Sequence, residues 1–352
     1  MHDQTTTHPP TTSPDGGEAG TPPLSLLDLA MVRPGASTAD ALRESVELAR
    51  TAQAQGFERV WYAEHHNMPS IASSATAVLV AHVAAHTETI RLGAGGVMLP
   101  NHSPLVVAEQ FGMLAELHPG RIDLGLGRAP GTDHRTLQAL RRDPSASERF
   151  PEDVLELQAY LRGDSRIPGV QAYPGTDTDV PLFILGSSAF GAQLAARLGL
   201  GYAFASHFAP QMLEHAARLY REHFEPSEAL AAPHLIVAAN VVVAETEQEA
   251  ARQWEAVRRA RIRMMLGRGR ELTEAEVDVL LDSPAGEQVL EMLRCTAVGT
   301  PEQVREHLTG FARGVQADEL ILTVPVPDHA ARLRSLELLG EHVIGAGSDA
   351  RG

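Results

Sequence analysis

Short apolar runs alternate with helical stretches eight times along this chain, and few folds accommodate that order. The runs LSLLDLA, FERVWY, IRLGAGG, RIDLGLG, PLFILG, YAFAS, LIVAANVVVA and ELILTVPV begin at residues 24, 57, 90, 121, 181, 202, 235 and 319. Between them, apolar spacing predicts helices over 38–55, 71–86, 104–117, 151–161, 188–198 and 210–223, one around Trp254 and one after Asp328. Strands that are apolar throughout belong to parallel sheets covered on both faces. Eight such strands in alternation with helices predict an α/β chain closed into a (β/α)8 TIM barrel. The alternative is an open, doubly wound sheet, but the first strand is not followed by the Gly-rich turn with which such sheets bind dinucleotides.

A single barrel over 23–346 is expected, between a disordered tail over 1–22 and a short C-terminal tail over 347–352. The opening segment is rich in Thr, Pro and Gly and lacks the basic start and apolar core of a secretion signal. Two stretches exceed an ordinary connection and read as insertions that cover the site: 128–149 after the fourth strand, and 267–298 before the eighth. Residues 162–180 read as an irregular excursion.

Composition excludes several chemistries. The chain has no lysine, so Schiff-base and pyridoxal-phosphate barrels are ruled out, and so is a Walker A loop. With 29 basic and 45 acidic residues the net charge is −16, which argues against nucleic acid and favours an uncharged or weakly charged substrate. No apolar run could span a bilayer, so no membrane partner is expected. The one cysteine, Cys295, excludes an internal disulfide and suits a reducing cytoplasm.

In a barrel, chemistry collects where strands end at the C-terminal face. Strand two ends in Glu64, His65, His66 and Asn67, and strand three in Gly95, Gly96, Val97 and Met98. A histidine there can act in proton transfer or be a hydrogen-bonded rim residue, and the local sequence does not choose. Metal ligation by His65 and His66 together is disfavoured, because neighbours on an extended chain point opposite ways. Gly95 and Gly96 permit either close approach of a flat ligand or a simple bulge. Arg128 could clamp a phosphate or carboxylate, or sit in a surface ion pair. Gly186, Ser187 and Ser188 open a helix whose N-terminus could hold the same anion, or Ser187 or Ser188 could be an ordinary N-cap.

Taken together, SLLDLA, GFERVWYAEHHN, GAGGVMLPNHSPLVVAEQF, HPGRIDLGLGRAPG, LGSSAFGAQLAARLGL, FASHFAP and VGTPEQV resemble the bacterial-luciferase-like flavin monooxygenases, from about residue 23 to the final helix. The resemblance implies that His65 stands at the flavin's reactive edge and that Gly95-Gly96 forms a cis peptide beneath the ring. It places Arg128, Ser187 and Ser188 around the flavin phosphate, with Val97, Met98, Gly186 and Ser206 lining the ring or its ribityl chain. His102 and Asp28 are further suggestions. Luciferase has a cysteine before the phosphate arginine where this chain has Gly127, so no thiol chemistry carries over. The implied reaction uses O2 and reduced FMN from a separate flavin reductase to oxygenate a small apolar substrate through a flavin peroxide, in a homodimer. F420-dependent hydride transfer, flavin binding without turnover, and a metal-dependent hydrolase are the alternatives.

Overall fold

The computed structural model describes residues 20–345 apart from 34, 130–132 and 268. The tail expected over 1–22 lies outside the described residues up to residue 19, and the tail over 347–352 lies outside them entirely. Nine parallel strands are present among the described residues: β1 (Leu24–Asp28), β2 (Arg59–Tyr62), β3 (Arg91–Met98), β4 (Ile122–Gly127), β5 (Leu182–Gly186), β6 (Gly201–Phe204), β7 (Leu235–Val243), β8 (Thr296–Gly299) and β9 (Glu319–Thr323). Eight of them close a (β/α)8 barrel, with β9 paired to β7 on one side and to β1 on the other. The ninth, β8, stands outside the ring and pairs with the far half of β7, Asn240 to Val243.

Around the barrel run α1 (Thr38–Ala54), α2 (Thr76–Ala84), α3 (Pro104–Leu117), α4 (His134–Ala139), α5 (Phe150–Leu161), α6 (Ala189–Leu198) and α7 (Leu213–Glu222). After β7 come α8 (Glu247–Leu266), α9 (Glu274–Leu281) and α10 (Pro284–Glu291), and α11 (Pro301–Val315) and α12 (His329–Leu339) flank β9. Local chemistry sets many of these ends. Ser37 and Asp40 form a capping box at α1, Thr300 and Gln303 form another at α11, and Gly199 at φ +60° ends α6 in the left-handed conformation that glycine tolerates.

Helix α2 begins five residues later than the spacing suggests. Ile71 instead bridges to Met31, and the Ser73 hydroxyl donates to the backbone of Leu29 and Ala63, so this stretch ties the ends of β1 and β2 together. The stretch 267–298 is likewise more than helical, because its end begins β8. The segment 162–180 is irregular, as expected, and contains a cis Tyr173-Pro174 peptide. No helix among the described residues is long and apolar enough to cross a membrane.

Two apolar layers result. The larger lies between the strands and the helices, and the smaller fills the barrel with Leu27, Trp61, Ala63, Phe183, Ala203, Ile236, Ala238 and Ile321. The Trp61 and Phe183 rings meet edge to face at 5.0 Å. Below them, at the N-terminal ends of the strands, Arg59 donates to Asp123 at 2.7 Å and to Glu319 at 2.9 and 3.0 Å, with all three side chains buried. Burial alone would raise the Glu319 carboxyl, but His234, Arg59 and Ser25 together hold it below its ordinary value.

Trp61 explains a glycine. A Cβ at Gly95 would lie 2.8 Å from the Trp61 Cβ and 2.9 Å from the Leu27 Cδ1. The β3–β4 register shifts between Ala94 and Val97, so the bulge considered above is present, and the Gly95-Gly96 peptide within it is cis. Gly95→Ala is expected to destabilise the fold by about 1–3 kcal/mol through overpacking. Gly310→Ala, with nothing within 4 Å of its added methyl, should instead stabilise α11 by about 0.5–1 kcal/mol. Urea unfolding of the two variants beside the parent measures both.

Candidate active site

The mouth of the barrel is organised by the residues that follow β2. Glu64 is buried, and its carboxylate accepts hydrogen bonds from His66 Nε2 at 2.7 Å, from His102 Nε2 at 2.8 Å and from the Met98 backbone N–H at 3.3 Å. Burial pushes the carboxyl up, but the two imidazoles outweigh it and bring it down to about 2. The same hydrogen bond raises His66 above its ordinary value. Glu64, His66 and His102 offer three ligand atoms within 4.8 Å of one another, a set able to hold a cation. Their mutual hydrogen bonds also satisfy them without one.

His65 points elsewhere, as the extended backbone requires. It is half-buried, burial lowers its pKa, and its Nδ1 has no hydrogen-bond partner. It lies close enough to His207, from the loop after β6, for the two rings to influence each other's charge. Burial first, then Arg261 and His65, push His207 down to about 3, so both rings are neutral near pH 7. His207 Nδ1 is also without a partner, while its carbonyl accepts from Asn240 of β7 at 2.8 Å.

A second group forms where β4 and β5 end. Arg128 lies flat against Phe190, with its guanidinium carbon 4.1 Å from the ring centroid, and its Nε donates to the Ser147 carbonyl at 3.1 Å. No other hydrogen bond or ion pair engages it among the described residues, so its terminal nitrogens are free, which answers the surface ion-pair reading. Phe190 belongs to the first turn of α6, whose N-cap Ser188 makes no side-chain cap bond. Ser187 is half-buried and Ser188 exposed beside it. A Cβ at Gly186 would meet nothing closer than 3.9 Å, so this strand end is open. Free guanidinium nitrogens, an uncapped helix start and a spare serine hydroxyl suit a phosphate, so these residues fit the phosphate end of a flavin nucleotide.

The remaining expected residues take varied places. Val97 is buried, Met98 is half-buried beside Gly127, and Gly96 packs against the backbone of Gly125. Ser206 is fully buried and its hydroxyl donates to the Ala238 carbonyl, so its polar atom is spent within the protein. Asp28 is spent as well, on Ser45, Arg332 and the Ala30 N–H. The pairing of His102 with Glu64, and the influence of Arg261 and His65 on His207, were not foreseen. The motif FASHFAP could have drawn attention to His207, but nothing local marks Arg261.

Comparison with known proteins identifies the family. The profile of the luciferase-like monooxygenase family matches residues 23–317. A luciferase-like monooxygenase of Escherichia coli K12 is 46% identical over 318 residues, covering 90% of this chain and 95% of that protein. The N-acetyl-S-alkylcysteine monooxygenase of Bacillus subtilis is 34% identical over 334 residues, covering 92% and 98%. The crystal structure of apo-MsnO8 superposes with a TM-score of 0.83 at 38% identity, covering 91% of this chain and 98% of that one. Two solved structures below 25% identity share the fold: the oxygenating constituent of Pseudomonas putida 3,6-diketocamphane monooxygenase in complex with FMN, at 18% and TM-score 0.70 over 92% and 97%, and an F420-dependent secondary alcohol dehydrogenase, at 17% and 0.66 over 92% and 98%. The chain belongs to the luciferase-like monooxygenase family.

The Glu64 cluster has a pH signature. A lowered carboxyl adds stability in full above its ordinary pKa of about 4.5 and loses it as the pH falls towards about 2. The raised His66 adds stability in full below its ordinary 6.5 and loses it as the pH rises through its folded value. Glu64→Gln is therefore expected to cost on the order of 3 kcal/mol near pH 5.5, with the difference from the parent shrinking towards pH 3 in denaturant titrations.

Proposed function

We propose that this protein is a flavin-dependent monooxygenase that uses reduced FMN and O2 to oxygenate a small, largely apolar organic substrate. The observation that carries this reading is the Arg128 guanidinium, stacked on Phe190 at the start of α6 with its terminal nitrogens free among the described residues, on the same barrel mouth as His65, whose Nδ1 is buried without a partner. Arg128, Ser187, Ser188 and the first N–H groups of α6 would hold the phosphate. Gly95, Gly96, Val97, Met98 and Gly186 would shape the walls along the ring and ribityl chain, with the buried Ser206 behind them. Reduced FMN, when bound, would supply the two electrons with which one oxygen atom of O2 enters the substrate and the other leaves as water.

His65 is suited to move the protons. Burial keeps the ring neutral against the pull of the Ala63 backbone and the Glu64 carboxylate, so it can take up a proton and return it. Glu64 does not compete for this role, because its charge is committed to His66 and His102. The absence of a Gly-rich dinucleotide turn supports supply of the reduced flavin by a separate reductase. Titration with FMN, followed by assay with a flavin reductase and a substrate panel, tests the reading. Arg128→Ala should weaken FMN binding by about 10- to 100-fold, and His65→Ala should lower oxygenated product while FMN still binds. Product formation unchanged by His65→Ala would remove its role. Binding of F420 in place of FMN would favour hydride transfer, and FMN binding without product would leave a flavin carrier.

A cytoplasmic homodimer is part of the same proposal. Cys295 is buried and unpaired, which suits a reducing compartment. Val78 of α2 and Val106, Met113 and Leu117 of α3 are exposed, and the three on α3 repeat at spacings of seven and four, so they form one apolar face. Met113→Glu combined with Leu117→Glu is expected to shift the protein from dimer to monomer in sedimentation velocity runs.

A further inference from the structure

Helix α8 carries five arginines, and four of them have acidic partners. Arg252 pairs with Glu249, Arg258 with Glu255 at 2.9 Å, Arg259 with Glu274 and Asp278 at 2.7 and 2.6 Å, and Arg263 with Glu274 at 2.5 Å. The fifth, Arg261, has no ion pair and no hydrogen bond among the described residues, yet burial is what governs its guanidinium. Acidic groups are at hand on α9, and the turn of the helix keeps Arg261 away from them.

The reason is its place on the wheel. Ala250, Trp254, Val257 and Arg261 follow one another at intervals of four, three and four, so they form one stripe. Ala250 and Val257 are buried and Trp254 packs on the main core, so this stripe is the inward face of α8. Arg261 is its last member, close enough to His207 for its charge to act on that ring. The opposite side of α8 closes on α9 and α10 through a separate small core of Ile262, Leu272, Val277 and Val289. The arginine is therefore held on a packed platform.

We propose that Arg261 binds a carboxylate carried by the organic substrate. A desolvated cation without a counter-ion is costly, and a ligand anion would remove that cost. The guanidinium fork matches a carboxylate with two parallel bonds, and the neutral His207 ring beside it can donate a third. The flavin phosphate does not fill this role, because Arg128 and Ser187 stand at the ends of β4 and β5, whereas Arg261 faces the loop after β6. An anion held at Arg261 would leave the apolar remainder of the substrate lying towards His65. The net charge of −16 repels anions at long range, so recognition has to be made locally by this one group. The inference rests on the monooxygenase reading of the same mouth and narrows its substrate from apolar to apolar with one anionic end.

The test is a binding measurement that needs no turnover. A panel of apolar carboxylic acids of graded size, each beside its primary amide, is titrated by calorimetry into the full-length protein with oxidised FMN present. At least one acid should bind the parent about 10- to 100-fold more tightly than its amide. Arg261→Ala and Arg261→Gln should abolish that preference, and Arg261→Lys should restore part of it, with unchanged melting temperatures showing that the variants fold. Two results overturn the proposal: no acid preferred over its amide by the parent, or a preference that survives in both Arg261→Ala and Arg261→Gln. Acid binding through Arg261 without oxygenated product would count against the monooxygenase reading alone, whereas oxygenated product from neutral substrates by a parent that prefers no acid over its amide would count against this inference alone.

Discussion

Trp61 fills the barrel, and much of the rest follows from where it sits. It lies midway along β2, above Arg59 and below Ala63, with its ring edge on Phe183 and its Nε1 donating to Asp123 at 3.2 Å. So large a side chain inside a closed ring requires small neighbours, and Gly95 on β3 meets that need. One strand thus supplies the floor cation, the filling of the core and, just past its end, the polar residues of the mouth. A change to its packing would reach the site through rigid backbone.

The floor and the mouth use charge in different ways. At the floor, Arg59, Asp123 and Glu319 satisfy one another, and such a set holds strand ends together as long as no member is removed. At the mouth, Glu64 is just as buried, but its two imidazole partners come from different places, His66 from its own strand end and His102 from the turn after β3. The carboxylate therefore binds β2 to β3 next to the Gly95-Gly96 bulge. What remains without an ion pair there, among the described residues, is imidazole and guanidinium: His65, His207, Arg128 and Arg261.

Much of this was legible in the order of residues. Parallel strands buried on both faces are apolar throughout, so β1, β4, β5 and β7 stand out, and Pro104 and Leu117 bound α3 because proline starts a helix and His118 leaves it. The four residues of β8, Thr296 to Gly299, were missed because so short a strand has no period of its own and takes its identity from pairing with β7. The start of α2 was misplaced for a related reason. Residues 71–75 have the spacing of a helix, but hydrogen bonds from Ser73 to strand ends hold them in another form.

The site divides along the same line. Residue type and position at strand ends were enough to single out His65, Gly95, Gly96, Arg128 and Ser187, because a barrel gathers the ends of its parallel strands on one face. Sequence alone also determined the exclusions, since a chain without lysine can form no Schiff base. Only the tertiary structure decided which histidines the carboxylate binds, because Glu64 reaches His66 and His102 and does not reach His65. Only the tertiary structure set Arg261 apart from its four paired neighbours on α8. A charge is paired or unpaired according to which groups lie within a few ångströms, and those groups come from segments far apart in the chain.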